Sequence, residues 1–259
     1  MAETAFYQDL GDGRYASSPA TAGPWSPRTQ HAGPPSALLG RALRRFGGRT
    51  DLRVARITLE IPKPVPVGEV RVDVRALRSG KRTDLLEGEL LADGEPVMLA
   101  RAWRMAPSPD HTPEVRRQPP PPAVPGPQPD HGLSGAHNDG YLSAIEWRFL
   151  DGGTFDTPGP GAAWARQRIP LVEGEKDTAL SRVLTLADAS WAIGFEIDHR
   201  HQFVINTDVT VALHRDPVGE WFCMRTSTTT SPGGSGLAVG QLSDENGDCG
   251  RIMQTVFIG

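Results

Sequence analysis

The chain has 259 residues, of which 38% are hydrophobic and 22% are charged, proportions that are ordinary for a globular protein in water. Its net charge of -4 and its lack of a basic run argue against a general nucleic-acid binder. The N-terminal residues form no apolar signal core, and no apolar run reaches the roughly 18 residues that cross a membrane. We therefore expect a cytoplasmic protein that binds neither membranes nor nucleic acids.

The first predicted elements are a short edge strand with a turn, within Phe6–Pro24, and then a helix at residues 34–46. Proline is tolerated at the start of a helix because its missing N–H would be unpaired there anyway. An apolar stripe with helical spacing follows, and Gly47-Gly48 ends it. Alternating apolar residues then predict three or four consecutive strands, at Leu52–Ile61, Glu69–Arg78, Arg82–Leu91 and Glu95–Met105.

A proline-crowded segment, residues 106–140, follows these strands. It includes four consecutive prolines, Pro119 to Pro122. Proline removes backbone donors and fixes φ, so the segment is predicted to be disordered or extended coil. We expect it to act as a linker between an N-terminal domain (1–105) and a C-terminal domain (141–259), with a docking site for a partner as the alternative.

The same order of elements returns after the linker. Asp177 is expected to cap a helix at residues 178–192 through its side-chain oxygen. Because consecutive strands with short turns pair antiparallel, and one apolar-striped helix can cover such a sheet, each half is predicted to be an α+β unit. The strands are predicted at Ser143–Arg148, Ala162–Arg168, Phe203–His214, Glu220–Thr230, Ser235–Ser243 and Gly250–Phe257.

The two halves also share a degenerate sequence repeat. The segment from Pro66 to Arg101 is similar to that from Pro217 to Gln254, and both begin with Pro-Val-Gly-Glu. A period of about 150 residues is the size of a small domain rather than of a solenoid repeat. Aligning the halves puts Phe46 opposite Asp188 and Arg101 opposite Gln254, so only the second half has an acid and an amide at these positions.

Several short segments, in this order and spacing, resemble the double-hotdog acyl-CoA thioesterases, the family of bacterial acyl-CoA thioesterase II. The resemblance spans nearly the whole chain apart from the linker. The segments are His31-Ala32-Gly33-Pro34, Leu77-Arg78-Ser79-Gly80-Lys81, Ala187-Asp188, Asn206-Thr207-Asp208, His214-Arg215, Gly219-Glu220-Trp221 and Met253-Gln254.

This resemblance implies an α+β fold with two tandem hotdog units, each an antiparallel sheet wrapped around one long helix. It also implies a homodimer, hydrolysis of acyl-CoA or acyl-carrier thioesters, and a catalytic Asp, Thr and Gln. Asp188 and Gln254 match the first and last, whereas Asn206 stands at the threonine position with Thr207 beside it. His31, Gly33 and Pro34 are the implied substrate-binding residues, and no cofactor or metal is expected.

The residues themselves support this chemistry. Thioester hydrolysis needs a polarised carbonyl and an activated water, which helix N-terminal N–H groups and a carboxylate can supply. Asp188 follows Leu184 by four residues and precedes Trp191 by three, so it shares their buried helix face. A charge there is costly unless it is paired or used.

Some residues favour or disfavour functions other than hydrolysis. A non-catalytic acyl-thioester binder is favoured by Asn206, and a hotdog hydratase is disfavoured because no histidine closely follows Asp188. No Gly-x-Ser-x-Gly elbow is present. His199 and His201 could bind a metal on a strand, although a solvated turn is the favoured interpretation. Cys223 and Cys249 are expected to be free thiols, with a bridge between them as the alternative.

Overall fold

The fold is α+β and is dominated by an antiparallel sheet. The computed structural model describes residues 3–109, 112–115, 118–197 and 202–259; His199 and His201 therefore lie outside the described residues. Thirteen of the described strands form one sheet, and helices pack against its inner face. No described helix combines the length and the apolar character needed to cross a membrane.

The first half of the chain forms one side of the sheet. Its central helix covers residues Gly33–Arg45 (α1) and ends where Gly47 adopts a φ of 65°, as the sequence predicts. Two short strands, Ala22–Gly23 (β3) and Ser26–Gln30 (β4), form a separate hairpin. The strands in the large sheet are Tyr7–Gly11 (β1), Arg14–Ser17 (β2), Arg53–Glu60 (β5), Glu69–Ser79 (β6), Thr83–Ala92 (β7) and Glu95–Met105 (β8).

The described residues of the second half include three short helices, at Tyr141–Ala144 (α2), Ala179–Ala187 (α3) and Ser190–Ile193 (α4). Its strands are Ile145–Phe149 (β9), Gly161–Gln167 (β10), Val204–Asn206 (β11), Asp208–Leu213 (β12), Phe222–Ser231 (β13), Ser235–Asp244 (β14) and Gly247–Ile258 (β15).

The two halves of the sheet join at β5 and β12 with mirrored strand orders. From this junction outward the first half runs β5, β8, β7, β6, β2, β1, and the second runs β12, β15, β14, β13, β10, β9. The ladder is centred on Thr58 and Thr210, which face each other. Each of the six strands on one side of this junction therefore has a counterpart on the other side.

This symmetry corrects the alignment of the repeat by one residue. Thr58 pairs with Arg101, whereas Thr210 pairs with Met253. The counterpart of Gln254 is therefore Ala102, and both face the core with almost no exposure. Arg101 instead lies on the outer face, where its Nε donates to Glu87. A slip of one residue moves a strand side chain to the opposite face.

The second central helix is shorter than predicted and begins with a different cap. The Thr178 side chain accepts a hydrogen bond from the Ser181 amide, and the Ser181 side chain accepts one from the Thr178 amide, so the two residues form a capping box. Asp177 instead accepts hydrogen bonds from the Leu171 amide and the Gln167 carboxamide. The helix is then interrupted at Asp188 and Ala189, between the end of α3 and the start of α4.

The two central helices pack directly against each other, and glycines on α1 allow the approach. A Cβ on Gly33 would lie 2.1 Å from the Thr185 carbonyl oxygen, and one on Gly40 would lie 2.1 Å from Leu184 Cδ1. Both distances are far below a normal contact. Position 33 therefore requires glycine at the observed helix separation, because the obstructing atom belongs to the backbone, whereas a Cβ at position 40 would require the Leu184 side chain to move.

The described part of the proline-rich segment is coil that lies along the second half. The Gln128 carboxamide exchanges hydrogen bonds with the backbone of Phe149. Trp164 Nε1 donates to the carbonyl of Pro122 at 3.1 Å, and Leu133 is buried in the main core. The described coil of this segment is therefore extended but makes specific contacts with the second half.

Candidate active site

A cavity of about 420 Å³ opens where the end of α3 meets the residues that precede α1. Its polar lining includes His31, Asp188 and Asn206, which come from three separate segments. The rest of the wall is mainly apolar, as expected for a pocket that holds a small ligand. The large apolar and aromatic lining residues are Trp25, Ile61, Leu133, Leu142, Phe155, Trp191, Phe195, Ile197, Phe203 and Ile205.

The carboxylate of Asp188 is held through both of its oxygens. Asn206 Nδ2 donates to Oδ1 at 2.7 Å, and His31 Nδ1 lies 3.1 Å from Oδ2. The Asp188 side chain is only 5% exposed, but it lines the cavity. Each carboxylate oxygen has a second lone pair, so a water molecule in the cavity can still donate to Asp188.

His31 is a buried ring held between three groups. It stacks on Tyr141, with ring centroids 3.6 Å apart and planes 7° apart. Burial lowers the pKa of His31, against the opposing effect of Asp188, so the neutral ring is favoured. With its proton on Nδ1, that ring donates to Asp188; in the other tautomer Nδ1 accepts the Gly33 amide, 3.1 Å away.

Gln254 lies behind Asp188, away from the cavity wall. Its side chain is fully buried, and it is absent from the described residues that line the cavity. Nε2 donates to the backbone carbonyl of Asp188 at 3.0 Å. Oε1 accepts the Ser190 hydroxyl at 2.7 Å and the Trp191 amide at 3.1 Å.

The remaining predicted site residues take different positions. Thr207 is exposed, and its hydroxyl lies 3.4 Å from Asp208 Oδ1 and 3.5 Å from the Thr255 carbonyl oxygen. Gly33 and Pro34 are buried in the first turn of α1. Asn206, rather than Thr207, therefore joins Asp188, while Gly33 and Pro34 sit beside His31 without lining the described cavity.

Two neighbours of the site were not predicted. Ser190 follows Asp188 by two residues and would face elsewhere on an unbroken helix, so helical spacing alone conceals its contact with Gln254. Tyr141 donates its hydroxyl to the Thr185 carbonyl at 2.9 Å, and burial raises its pKa well above the usual value. No local pattern links this residue to His31, because the two meet only in the folded chain.

The acyl-CoA thioesterase N-terminal domain matches residues 21–105, and the acyl-CoA thioesterase C-terminal domain matches residues 120–258. The second match alone spans more than half of the chain. The protein therefore belongs to the acyl-CoA thioesterase family and is a thioester hydrolase, which confirms the resemblance seen in the sequence. No curated protein gives a significant match.

Solved structures share the fold at low sequence identity. A thioesterase-like protein of Novosphingobium aromaticivorans is 20% identical, with a TM-score of 0.72 over 97% of this chain and 98% of that one. The tesB protein of Mycobacterium avium subsp. paratuberculosis is 18% identical, with a TM-score of 0.69 over 99% and 97%. A hot dog fold protein of Alicyclobacillus acidocaldarius is 16% identical, with a TM-score of 0.71 over 99% and 97%.

Proposed function

We propose that the protein hydrolyses acyl-CoA or acyl-carrier thioesters with a water molecule activated by Asp188. The observation behind this proposal is the carboxylate that lines the cavity while Asn206 and His31 fix its two oxygens. A carboxylate oriented in this way can accept a proton from water as the water attacks the thioester carbonyl. When the tetrahedral intermediate collapses, the C–S bond breaks and the departing thiolate takes up the proton that Asp188 accepted. The protein needs no covalent nucleophile.

The start of α1 offers few donors for the oxyanion of that intermediate. Pro34 and Pro35 have no N–H, and the Ser36 amide already donates to the Ala32 carbonyl. The Gly33 amide is 3.1 Å from His31 Nδ1, and Gly33 does not line the described cavity. We propose that the positive end of α1 stabilises the oxyanion through its electrostatic field.

The proposed architecture is a tandem double hotdog in which the second unit supplies the acid. The mirrored strand order on the two sides of β5 and β12 supports this arrangement. At the equivalent place in the first unit, Phe46 follows the end of α1 as Asp188 follows α3. The first unit contributes His31 and part of the cavity wall.

Release of free thiol from a panel of acyl-CoA and acyl-carrier substrates tests this function. Asp188→Asn should lower turnover by about 10²- to 10⁴-fold, the usual contribution of a positioned acid–base group. Phe46→Leu is the matched control in the first half and should leave turnover largely unchanged in folded protein. Equal losses from the two variants, at unchanged melting temperatures, would contradict the assignment.

We also propose that the protein is a cytoplasmic homodimer. Four large apolar side chains on the outer face of β14 and β15 support an interface there: Leu237, Val239, Met253 and Phe257 are each at least 40% exposed. Such exposed apolar patches commonly mark contact surfaces. A monomer mass by light scattering at micromolar concentration would contradict the dimer.

A further inference from the structure

We infer that Gln254 is a positioning residue for Asp188, and that Ser190 holds Gln254 in place. This inference rests on the proposed function of Asp188. The family resemblance implies a catalytic glutamine at this position. The contacts of Gln254 in this chain instead point to the backbone around Asp188.

The hydrogen-bonding capacity of Gln254 is largely used by the protein. A carboxamide oxygen accepts two hydrogen bonds, and Oε1 receives them from the Ser190 hydroxyl and the Trp191 amide. Nε2 donates to the Asp188 carbonyl. Because Gln254 and Ser190 are 0% and 1% exposed, these bonds are shielded from solvent competition.

The same contacts satisfy the backbone groups that the break between α3 and α4 leaves without helical partners. In an unbroken helix the Asp188 carbonyl would accept the Ala192 amide, but that amide donates to Ala189 at 3.1 Å. Gln254 Nε2 donates to the Asp188 carbonyl in place of the Ala192 amide, and Gln254 Oε1 accepts the hydrogen bond of the Trp191 amide. It therefore fixes the backbone from which the catalytic carboxylate projects.

The first half has a comparable clamp at the end of its central helix. Arg104, on the equivalent strand β8, donates from Nη1 to the carbonyls of Leu43, Arg44 and Phe46 at the end of α1. The counterpart of Gln254 there is Ala102, which cannot make such bonds. In both halves a side chain from the last strand thus holds the end of the central helix.

Displacement of Asp188 should reduce turnover more than substrate binding, since a small misplacement of a catalytic group can cost up to about 10²-fold. We expect Ser190→Ala to lower kcat by about tenfold with KM nearly unchanged, and Ser190→Thr, which keeps the hydroxyl, to recover part of the loss. Ser36→Ala is the matched control. Ser36 is a buried serine on α1 whose hydroxyl has no hydrogen-bond partner among the described residues.

A double-mutant cycle tests whether Ser190 acts through Gln254. If Ser190 acts through Gln254, then Ser190→Ala combined with Gln254→Met should lose no more activity than Gln254→Met alone. Additive losses, or an unchanged kcat in Ser190→Ala, would overturn the inference.

Hydrogen exchange tests the clamp independently of catalysis. The Trp191 amide should exchange faster in Ser190→Ala and Gln254→Met than in the unmodified protein, while peptides from α1 should not change. Unchanged exchange at Trp191 would refute the clamp. Faster exchange in a protein without thioesterase activity would refute the proposed function and leave the clamp standing.

Discussion

His31 and Asp188 meet at 3.1 Å although they come from opposite halves of the chain. His31 precedes α1 in the first half, and Asp188 follows α3 in the second. The close approach of α1 and α3 at Gly33 and Gly40 brings them together. The candidate site therefore depends on both halves, even though the acid belongs to the second.

Replacement of His31 should test whether it orients the carboxylate. His31→Leu removes the Nδ1 donor and should lower kcat by about 10- to 100-fold, the equivalent of one hydrogen bond to a charged group. His31→Gln keeps an N–H donor and should retain more activity. His214→Leu changes an exposed histidine and serves as the control; equal losses in His214→Leu and His31→Leu would contradict this role.

Asn206 and Thr207 can be distinguished in the same assay. Asn206→Ala removes the donor to Asp188 Oδ1 and should lower kcat by roughly tenfold or more. Thr207→Ala alters an exposed hydroxyl and should change kcat by less than about twofold. Asn206→Thr restores a hydroxyl donor at the position where the family has threonine. A larger loss in Thr207→Ala than in Asn206→Ala would reverse the assignment.

Local patterns in the sequence predicted most of the elements. In β6 to β8 and in α1, one face of the element is buried. One-sided burial produces a periodic apolar pattern within the element's own sequence, so these elements could be predicted locally. The break after α3 was missed because Leu180 to Trp191 keep helical spacing across it. The carboxamide of Gln254, which is distant in sequence, stabilises that break.

The site was predicted less completely than the fold. Asp188 and Asn206 were expected to act together, and they are hydrogen-bonded. The alignment of Arg101 with Gln254 failed because it matched Asp93-Gly94 to Asn246-Gly247, a pair that lies one residue later in its hairpin. The two turns themselves place Asp93 and Gly94 opposite Glu245 and Asn246. Strand pairing, which the sequence does not record, is needed to choose the correct face.

Gly33→Ala should disturb both stability and catalysis. The added Cβ would lie 2.1 Å from the Thr185 carbonyl oxygen, which belongs to the backbone and cannot rotate away. Overpacking of this kind destabilises a protein by about 1–3 kcal/mol, which urea denaturation can measure. Separation of the helices should also move His31 from Asp188 and lower kcat. Gly126→Ala is the control, because a Cβ added at Gly126 would meet no atom within 4 Å. Gly94→Ala is unsuitable because the φ of Gly94 is 79°.

Acid should weaken the contact between α1 and the second half through Glu175. Hydrogen bonds from Arg41, and secondarily from Arg45, lower the pKa of Glu175 to about 2 from 4.5, against the opposing effect of burial. Because the folded-state pKa is depressed, this stabilisation is present above pH 4.5 and is lost as the pH falls toward 2.

Glu175→Gln should be less stable than the unmodified protein at neutral pH, and its melting temperature should fall less steeply across that window. Glu95→Gln, in a pair with Lys63 whose side chains are 73% and 54% exposed, should have little effect on either quantity. A melting temperature of Glu175→Gln that follows the unmodified protein in parallel from pH 7 to pH 2 would show that this ion pair does not stabilise the fold.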